Sequence, residues 1–237
     1  MYNNNRILAV ITARAGSKRI PNKNIRMVGG RPLIAWTIDQ ASKSKLIDRV
    51  ILSSEDTEIC SIAAKYGCEV PFIRPKELAE DHSTSVDVIL HALSKVKNYQ
   101  YVVMLQPTSP FRESIDIDDC ISYCIDNLAN VCVSLTESEK TPHWMYYRCL
   151  DGKLSPLIDK GKEIPSYRHQ VRQAYVLNGA VYVVKVDWFL KKRTFLTGET
   201  MGFIMPRERS LDVDTMHDWE LMELLFLRKS RQTMNTN

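Results

Sequence analysis

Hydrophobic positions along the chain change their period repeatedly, and each change predicts a switch between strand and helix. Short, densely apolar runs are typical of buried strands, whereas apolar residues that recur every three or four positions mark one face of a helix. The predicted strands are Ile7–Thr12, Arg49–Ser53, Tyr101–Leu105, Val131–Leu135, Ala180–Val186 and Gly202–Met205. The predicted helices are Pro32–Ser42, Thr57–Tyr66, Ser85–Val96, Ile115–Asn127 and Met216–Leu227. This alternation predicts an α/β fold with an open, mostly parallel sheet and helices on both sides.

The alternation breaks off between Glu137 and Gln173, which we interpret as a small lobe inserted into a single domain of residues 1–237. Prolines and glycines interrupt the stretch, and only short apolar alternations lie between them. It also holds aromatic residues that a plain linker would lack: Trp144, Tyr146, Tyr147 and Tyr167. Exposed aromatic residues often mark a subunit interface, but a hairpin that packs on its own domain would explain them equally well.

The composition is that of an ordinary globular protein, with 237 residues, 44% of them hydrophobic and 25% charged. No segment approaches the roughly 18 consecutive apolar residues of a membrane span. The net charge of +4 comes without a basic helix or a repeated aromatic–basic pattern. We therefore expect neither a membrane nor a nucleic acid as partner. Six cysteines without a Cys-x-x-Cys pair and a polar start to the chain predict buried thiols in a reducing cytoplasm.

Positive charge is concentrated in Thr12–Asn24, directly after the first predicted strand, and we call this segment the basic loop. It contains no acid, and its cations are Arg14, Lys18, Arg19 and Lys23. Gly16 and Ser17 allow the backbone N–H groups to approach a ligand closely, so the loop suits a polyphosphate. It is neither a Walker P-loop nor a dinucleotide fingerprint, because the spacing differs and the chain has no Gly-x-Gly. The alternative interpretation is a solvated basic turn.

A pair of carboxylates, Asp212 and Asp214, lies near the other end of the chain. On an extended segment, residues two positions apart face the same side. Two such carboxylates can hold Mg²⁺, which completes its coordination with substrate phosphates and water. The alternative is that Asp214 caps the last helix and Asp212 is solvent-exposed. The presence of the basic loop on the same chain favours the metal site.

Other polar residues are weaker candidates when each is taken alone. Gln106 follows the most strongly apolar predicted strand, at the edge where open α/β sheets bind ligands. A rigid turn between two prolines is the alternative there. Arg74 and Ser83 flank a short acidic turn before a helix, where a serine can also act as a cap. Arg168 and Asn178–Gly179 are single polar features without further support.

Together and in this order, the motifs closely resemble the signature of the CMP-sialic acid synthetases, or N-acylneuraminate cytidylyltransferases. Five segments carry the resemblance, which extends from residue 7 to beyond residue 220: Ala13–Ile25, Arg74–Asp81, Leu105–Arg112, Asn178–Tyr182 and Ser210–Asp214. The chain departs from the family after the second predicted strand. The family's usual Ser-Thr-Asp-Asp is Ser-Ser-Glu-Asp here, which places Glu55 at the third position.

The resemblance implies a Rossmann-like nucleotidyltransferase fold and a homodimer formed partly through the inserted lobe. It also implies the reaction of CTP with a nonulosonic acid, a nine-carbon acidic sugar, to give a CMP-sugar and pyrophosphate with Mg²⁺. By position, the residues at the CTP phosphates and ribose would be Arg14, Ser17, Lys18, Lys23 and Asn24. Arg14, Lys18 and Lys23 among them would neutralise charge in catalysis. Arg74 and Ser83 match positions near the cytosine, and Asp212 and Asp214 match the metal-binding pair.

On the same resemblance, Gln106 and Tyr182 match positions near the sugar, and Arg168 matches a basic position in the lobe that reaches an active site. A sugar-pocket pair that is Phe-Phe in some sialate enzymes is Phe195–Leu196 here. We expect N-acetylneuraminate as the acceptor, with legionaminate or pseudaminate as the alternative. A CMP-Kdo synthetase fits the basic loop poorly. A catalytically inactive nucleotide-binding module is the alternative from another class, and intact Lys23, Asp212 and Asp214 argue against it.

Overall fold

The computed structural model describes residues 1–158 and 172–234, and its centre is a six-stranded sheet. In spatial order the strands are β10 (Met201–Ile204), β6 (Val131–Glu137), β9 (Tyr175–Lys185), β5 (Tyr101–Leu105), β1 (Ile7–Thr12) and β4 (Arg49–Ser53). Neighbouring strands are parallel except at β9, which runs antiparallel to both β5 and β6. The predicted α/β class with a mostly parallel sheet is confirmed.

Helices cover both faces of the sheet. Those on one face are α1 (Leu33–Lys43), α2 (Thr57–Lys65) and α4 (Ser114–Asp126). Those on the other face are α3 (Ser85–Lys95) and α5 (Val186–Lys192). The sequence pattern does not predict α5, because it follows β9 directly and is too short to display a helical period. The last helix, α6 (Met216–Met234), continues past Leu227, its predicted end.

Strand β5 is buried at every position and lies between β1 and β9, as expected of a central strand covered on both faces. Strand β9 begins at Tyr175, before its predicted start at Ala180, and continues through Asn178–Gly179. Its first residues pair only with β6, whereas its second half pairs with both neighbours. The polar Asn-Gly pair, which usually indicates a turn, lies here inside a long strand that changes partners.

Side-chain caps set the starts of helices α2 and α3. The carboxylate of Asp56 accepts a hydrogen bond of 2.8 Å from the Ile59 N–H and so begins α2. Thr84 and Asp87 form a capping box at the start of α3. Thr84 therefore caps α3, rather than Ser83 or Ser85 as the alternative interpretation of that segment requires.

A third apolar cluster holds the basic loop, α6 and the carboxylate segment together. Its buried members include Ile20 from the loop, Trp219 from α6 and Val213 from between the two aspartates. Between the loop and α1, the short antiparallel strands β2 (Met27–Val28) and β3 (Arg31–Pro32) pair with each other. Because Val213 is fully buried in this cluster, the flanking Asp212 and Asp214 are left to face the opposite side.

The described part of the predicted lobe contains one antiparallel hairpin, of β7 (Tyr146–Arg148) and β8 (Leu154–Pro156). Its apolar side chains are poorly covered, with Tyr147 62% and Leu154 64% exposed. Arg168 and Tyr167 lie outside the described residues. Among the described helices, none is long and apolar enough to cross a membrane.

Candidate active site

An open cleft of about 650 Å³ lies at the carboxyl ends of β1 and β5, where open α/β sheets bind ligands. It brings together segments that are up to 200 positions apart in the sequence. The predicted site residues that line it are Arg14, Ser17, Lys18, Lys23, Asn24, Arg74, Ser83, Gln106, Asp212 and Asp214. The basic loop and the carboxylate pair therefore face one shared space, as the metal-site interpretation requires.

Two cations of the basic loop meet a short acidic segment across the cleft. The Arg14 guanidinium donates to the backbone oxygens of Ala79 at 3.1 Å and Glu80 at 3.2 Å. It also lies 3.4 Å from a carboxylate oxygen of Asp81, which forms an ion pair with Lys18 as well. The hydrogen bond from Lys18 is the main reason that the pKa of Asp81 is lowered. A carboxylate thus occupies the position in which these cations could meet an anionic ligand.

Lys23 connects the basic loop to the carboxylate segment. Its side chain is 12% exposed, and its ammonium donates to the Val213 backbone oxygen at 2.8 Å and to Asp214 Oδ1 at 3.0 Å. These hydrogen bonds fix the position of the ammonium group, which would otherwise move with the flexible lysine side chain. Lys23 is therefore preorganised beside the carboxylates.

Asn24 braces the basic loop from inside. Its amide donates to the Arg14 backbone oxygen at 2.9 Å, and its own backbone oxygen accepts from the Ile34 N–H at the start of α1. The side chain is buried. Asn24 thus lies in the cleft lining, and its amide hydrogen bond to Arg14 maintains the shape of the loop.

The buried ion pair of Arg74 and Glu55 supports the basic loop from below. Arg74 is 3% exposed and donates to Glu55 at 2.6 Å and to the Ala13 backbone oxygen at 2.8 Å. The second oxygen of Glu55 accepts from the Ala15 N–H at 2.8 Å. Glu55, which replaces the family's usual aspartate, is a site residue that the sequence analysis does not assign. Its departure from the family pattern is the signal that could have identified it.

Both serines predicted at the nucleotide lie in the cleft lining, and the hydroxyl of Ser83 already has a partner. It donates to the Glu77 backbone oxygen at 2.6 Å, which holds the acidic segment in a turn. The Ser17 N–H donates to the Ala15 oxygen at 2.7 Å within the basic loop.

Asp212 is a cleft acid whose pKa is raised. Burial is the largest cause of the raised pKa, and the nearby charge of Asp214 adds to it, whereas a hydrogen bond with the Thr108 side chain and the charge of Lys23 oppose it. Its Oδ1 is buried and has no hydrogen-bond partner in the part of the chain that the structure describes. A buried carboxylate oxygen without a donor is costly unless a cation completes it.

The two aspartates therefore fit a divalent cation through the chemistry of their oxygen ligands. No cluster of three or more His, Cys, Asp or Glu side chains suited to a metal occurs among residues 1–158 and 172–234. A carboxylate pair is nevertheless sufficient for Mg²⁺ when substrate phosphates supply the remaining ligands.

Gln106 and Asp212 lie on either side of Gly179. A Cβ atom placed there would lie 2.8 Å from Gln106 Oε1 and 3.3 Å from Asp212 Oδ2. Gly179 also has a φ of +70°, a conformation that other residues rarely adopt. The Val213 N–H donates to the Thr108 oxygen at 2.9 Å. This hydrogen bond fixes the loop that follows Gln106 relative to the carboxylate segment.

Asn178 provides a polar support behind the same segment. Its side-chain oxygen accepts from the Ser134 hydroxyl at 2.6 Å, and its amide donates to the Ser210 hydroxyl at 3.0 Å. Asn178 is buried, so it acts as scaffolding for the carboxylate segment.

Two predicted sugar-binding residues lie outside the cleft lining. Tyr182 is half-buried, and burial followed by the charge of Asp212 raises the pKa of its hydroxyl. Phe195 is buried in the core beneath it, with ring centroids 5.4 Å from Tyr182 and 4.8 Å from Phe189. In this structure Phe195 thus acts as packing behind Tyr182. Arg168, which is also predicted to bind the sugar, lies outside the described residues.

Comparison with known proteins identifies several relatives. Residues 8–145 match the family model described as cytidylyltransferase. The chain is 34% identical over 97% of its length to an N-acylneuraminate cytidylyltransferase of Escherichia coli, of which it spans 54%. It is 33% identical to a CMP-N,N'-diacetyllegionaminic acid synthase of Legionella pneumophila, with 93% of this chain and 96% of that protein covered. A pseudaminic acid cytidylyltransferase of Campylobacter jejuni is 31% identical, with 92% and 95% covered.

Among solved structures, a CMP-2-keto-3-deoxy-manno-octonic acid synthetase in complex with CTP superposes with a TM-score of 0.71. The two chains are 17% identical, and the match covers 94% of this chain and 99% of the other. At this identity the likeness shows the fold, and it agrees with the predicted α/β architecture.

The raised pKa of Asp212 predicts how one substitution changes stability with pH. A carboxyl group whose pKa is higher in the folded than in the unfolded chain destabilises the protein once it ionises. This cost is absent below the ordinary aspartate pKa of about 3.9 and fully present above the raised value. We expect Asp212→Asn to have a higher urea midpoint than the parent protein at pH 7, with the difference shrinking as the pH falls through that window.

The exposed Asp119→Asn, which removes one charge from the surface of α4, is the control and should not change the midpoint at either pH. A midpoint for Asp212→Asn below that of the parent at pH 7 would contradict the electrostatic cost assigned to this carboxylate.

Proposed function

This chain belongs to the cytidylyltransferase family, and on that premise we propose that it transfers CMP from CTP to the anomeric 2-hydroxyl of a nonulosonic acid. The products are a CMP-sugar and pyrophosphate. The observation that carries the proposal is the cleft itself, in which Arg14, Lys18 and Lys23 face Asp212 and Asp214. Fixed cations opposite a carboxylate pair suit a triphosphate and its counterion.

The basic loop would hold the triphosphate of CTP. Arg14 and Lys18 already contact an anion, the Asp81 carboxylate, so they are aimed at negative charge before any ligand arrives. A triphosphate carries more charge than one carboxylate and would displace Asp81 from them. Ser17 and the backbone around Gly16 would add hydrogen bonds. Arg74 and Ser83 also line the cleft and would lie near the cytosine.

Asp212 and Asp214 would hold Mg²⁺ between the chain and the phosphates. The proposal rests on the partnerless buried Oδ1 of Asp212 and on the position of both carboxylates in the cleft. When bound, Mg²⁺ supplies positive charge at the phosphates and lowers the pKa of a hydroxyl that coordinates it.

The reaction needs positioning and charge neutralisation more than a covalent intermediate. The sugar 2-hydroxyl oxygen forms a bond to the α-phosphorus, the bond from that phosphorus to the bridging oxygen breaks, and pyrophosphate leaves. The hydroxyl proton passes to solvent. Lys23 and Arg14 would stabilise the charge that develops on the phosphates. No side chain is assigned here as a general base.

For the acceptor we propose N-acetylneuraminate, on the strength of the Escherichia coli relative. Legionaminate or pseudaminate is the second candidate, because the Legionella and Campylobacter relatives are matched over almost their whole length. Gln106 and Tyr182 would contact the sugar, with Phe195 supporting Tyr182 from behind. Arg168 is assigned to the sugar by family resemblance alone.

We further propose that the lobe forms a homodimer interface. Among the described residues, the hairpin and the start of β9 carry several exposed large apolar side chains: Tyr146, Tyr147, Leu150, Leu154, Leu157, Tyr175 and Val176. Exposed apolar side chains concentrated in one region are typical of a surface that another subunit covers.

The central test is pyrophosphate release from the purified protein with CTP and a panel of nonulosonic acids, with and without EDTA. We expect release with at least one sugar, a preference for N-acetylneuraminate, and loss of activity in EDTA and in the Asp212→Asn, Asp214→Asn double variant. Asp119→Asn, on the exposed surface of α4, is the control. Absence of release with every sugar would overturn the proposed reaction, and activity that survives EDTA would remove the metal from it.

Lys23→Met keeps the aliphatic stem of the lysine but removes its ammonium. Because that group is fixed beside the phosphates' expected position, we expect kcat to fall by about 100-fold or more. Lys65→Met, at the exposed end of α2, should retain normal turnover. Steady-state kinetics at saturating CTP measures both, and a near-normal kcat for Lys23→Met would exclude it from catalysis.

Sedimentation velocity tests the interface. The parent protein should sediment as a dimer at micromolar concentration, and Tyr147→Asp with Leu154→Asp should shift it to a monomer by burying charge in the apolar contact. Leu128→Asp is the control, since Leu128 is 90% exposed outside the hairpin and its φ of 55° suits aspartate. A dimer that is insensitive to the hairpin substitutions would locate the interface elsewhere.

A further inference from the structure

Arg112 is an unusual buried cation at the base of the cleft. It is 1% exposed and among the largest fully buried side chains of the described chain. Its three hydrogen bonds all go to uncharged oxygen atoms, and its Nε has no partner among the described residues. Burial lowers the pKa of Arg112 to about 10, although the charge of Asp116 opposes this shift. Burying an unpaired cation costs several kcal/mol, so packing alone does not explain it.

The hydrogen bonds of Arg112 join three elements at the point where a strand ladder ends. Its guanidinium donates to the Gln106 backbone oxygen at 3.2 Å, to the Ala180 backbone oxygen at 2.7 Å and to the Thr37 hydroxyl at 2.7 Å. Leu105 and Val181 form the last registered pair of β5 with β9. Gln106 and Ala180 follow on the open side of that pair. The guanidinium therefore satisfies carbonyl groups that the sheet no longer pairs.

The two anchored carbonyls belong to segments that meet closely beside the cleft. Gln106 faces Asp212 across Gly179, where an added Cβ would lie 2.8 Å from Gln106 Oε1 and would displace one of the two side chains. Gly179 immediately precedes Ala180, so Arg112 holds both sides of this contact. A shift of the Gln106 backbone by a few tenths of an ångström would change the position of its amide relative to Asp212.

We propose that Arg112 is a positioning residue, which fixes the Gln106 loop against Gly179 and Asp212 so that the acceptor sugar meets the α-phosphate correctly. Resting on the proposed cytidylyl transfer, this inference assigns a role in acceptor use to a residue outside the cleft lining. The basic loop that would hold the triphosphate makes none of the three bonds of Arg112. Loss of Arg112 should therefore act on the acceptor much more than on CTP.

The test compares Arg112→Met, Arg112→Lys and Thr37→Val with the parent protein in steady-state kinetics, after the parent has released pyrophosphate with a sugar of the panel. For Arg112→Met we expect at least a tenfold rise in the acceptor KM or fall in kcat, and a change of less than threefold in the CTP dissociation constant from calorimetry. Arg112→Lys should recover part of the loss, because an ammonium can reach some of the same oxygens. Thr37→Val, which leaves both bonds from Arg112 to the carbonyls but removes the 3.4 Å bond from the Thr37 hydroxyl to the Gln106 oxygen, should show a smaller effect of the same kind.

Ile121→Ala is the matched control, since it removes a buried side chain of α4 that has no part in the cleft. It should lower the melting temperature without changing the acceptor KM relative to the CTP dissociation constant. The positioning role would be overturned if the Arg112 variants changed the acceptor KM and the CTP dissociation constant by equal factors, or if their acceptor KM and kcat were normal. If Arg112→Met fails to fold, Arg112→Lys and Thr37→Val decide by the same criterion. An inactive parent protein would instead count against the proposed reaction.

Discussion

Pairing of the cations at the end of β1 with carboxylates determines much of the architecture around the cleft. Arg14 and Lys18 meet Asp81, whereas Lys23 meets Asp214. Beneath them the ion pair of Arg74 with a glutamate shapes the backbone of the loop. The cations are thereby ordered in advance, which reduces the entropy lost when a ligand binds. An anionic ligand proposed to bind at Arg14 and Lys18 would therefore have to replace the Asp81 carboxylate.

The bounds of an element can be predicted from the sequence where a single hydrophobic pattern extends over its whole length. Strand β5 agrees with its prediction at both ends, since its uniform burial produces an uninterrupted apolar run. The prediction is less accurate where an element changes environment. Strand β9 passes from one pairing partner to two, and its Asn178–Gly179 step has the composition of a turn. Helix α6 continues beyond Leu227 as a polar helix, which has no apolar stripe to reveal it.

The family and the nucleotidyltransferase class could be predicted from the sequence, because motifs in a fixed order carry more information than single residues. The family match confirms both predictions. Individual roles are harder to predict, because they depend on partners that are distant in the chain. Glu55 acquires its role only when Arg74 packs against it, and Arg112 only when Ala180 lies beside it. Asn24 belongs to a motif as predicted, yet its amide also maintains the loop. Motifs therefore locate the site, whereas packing separates the residues that face a ligand from those that support them.

The early part of β9 has a mechanical consequence. Tyr175–Leu177 and the end of β6 form a two-stranded stalk, which leads from the sheet to the lobe. The stalk ends at Asn178 and Gly179, directly behind Gln106 and Asp212. The pairing register of β6 with β9 shifts between Val133 and Leu135, so the stalk and the main sheet are not one continuous ladder. A displacement of the lobe would bear first on this irregular step, which carries Asn178 and Gly179.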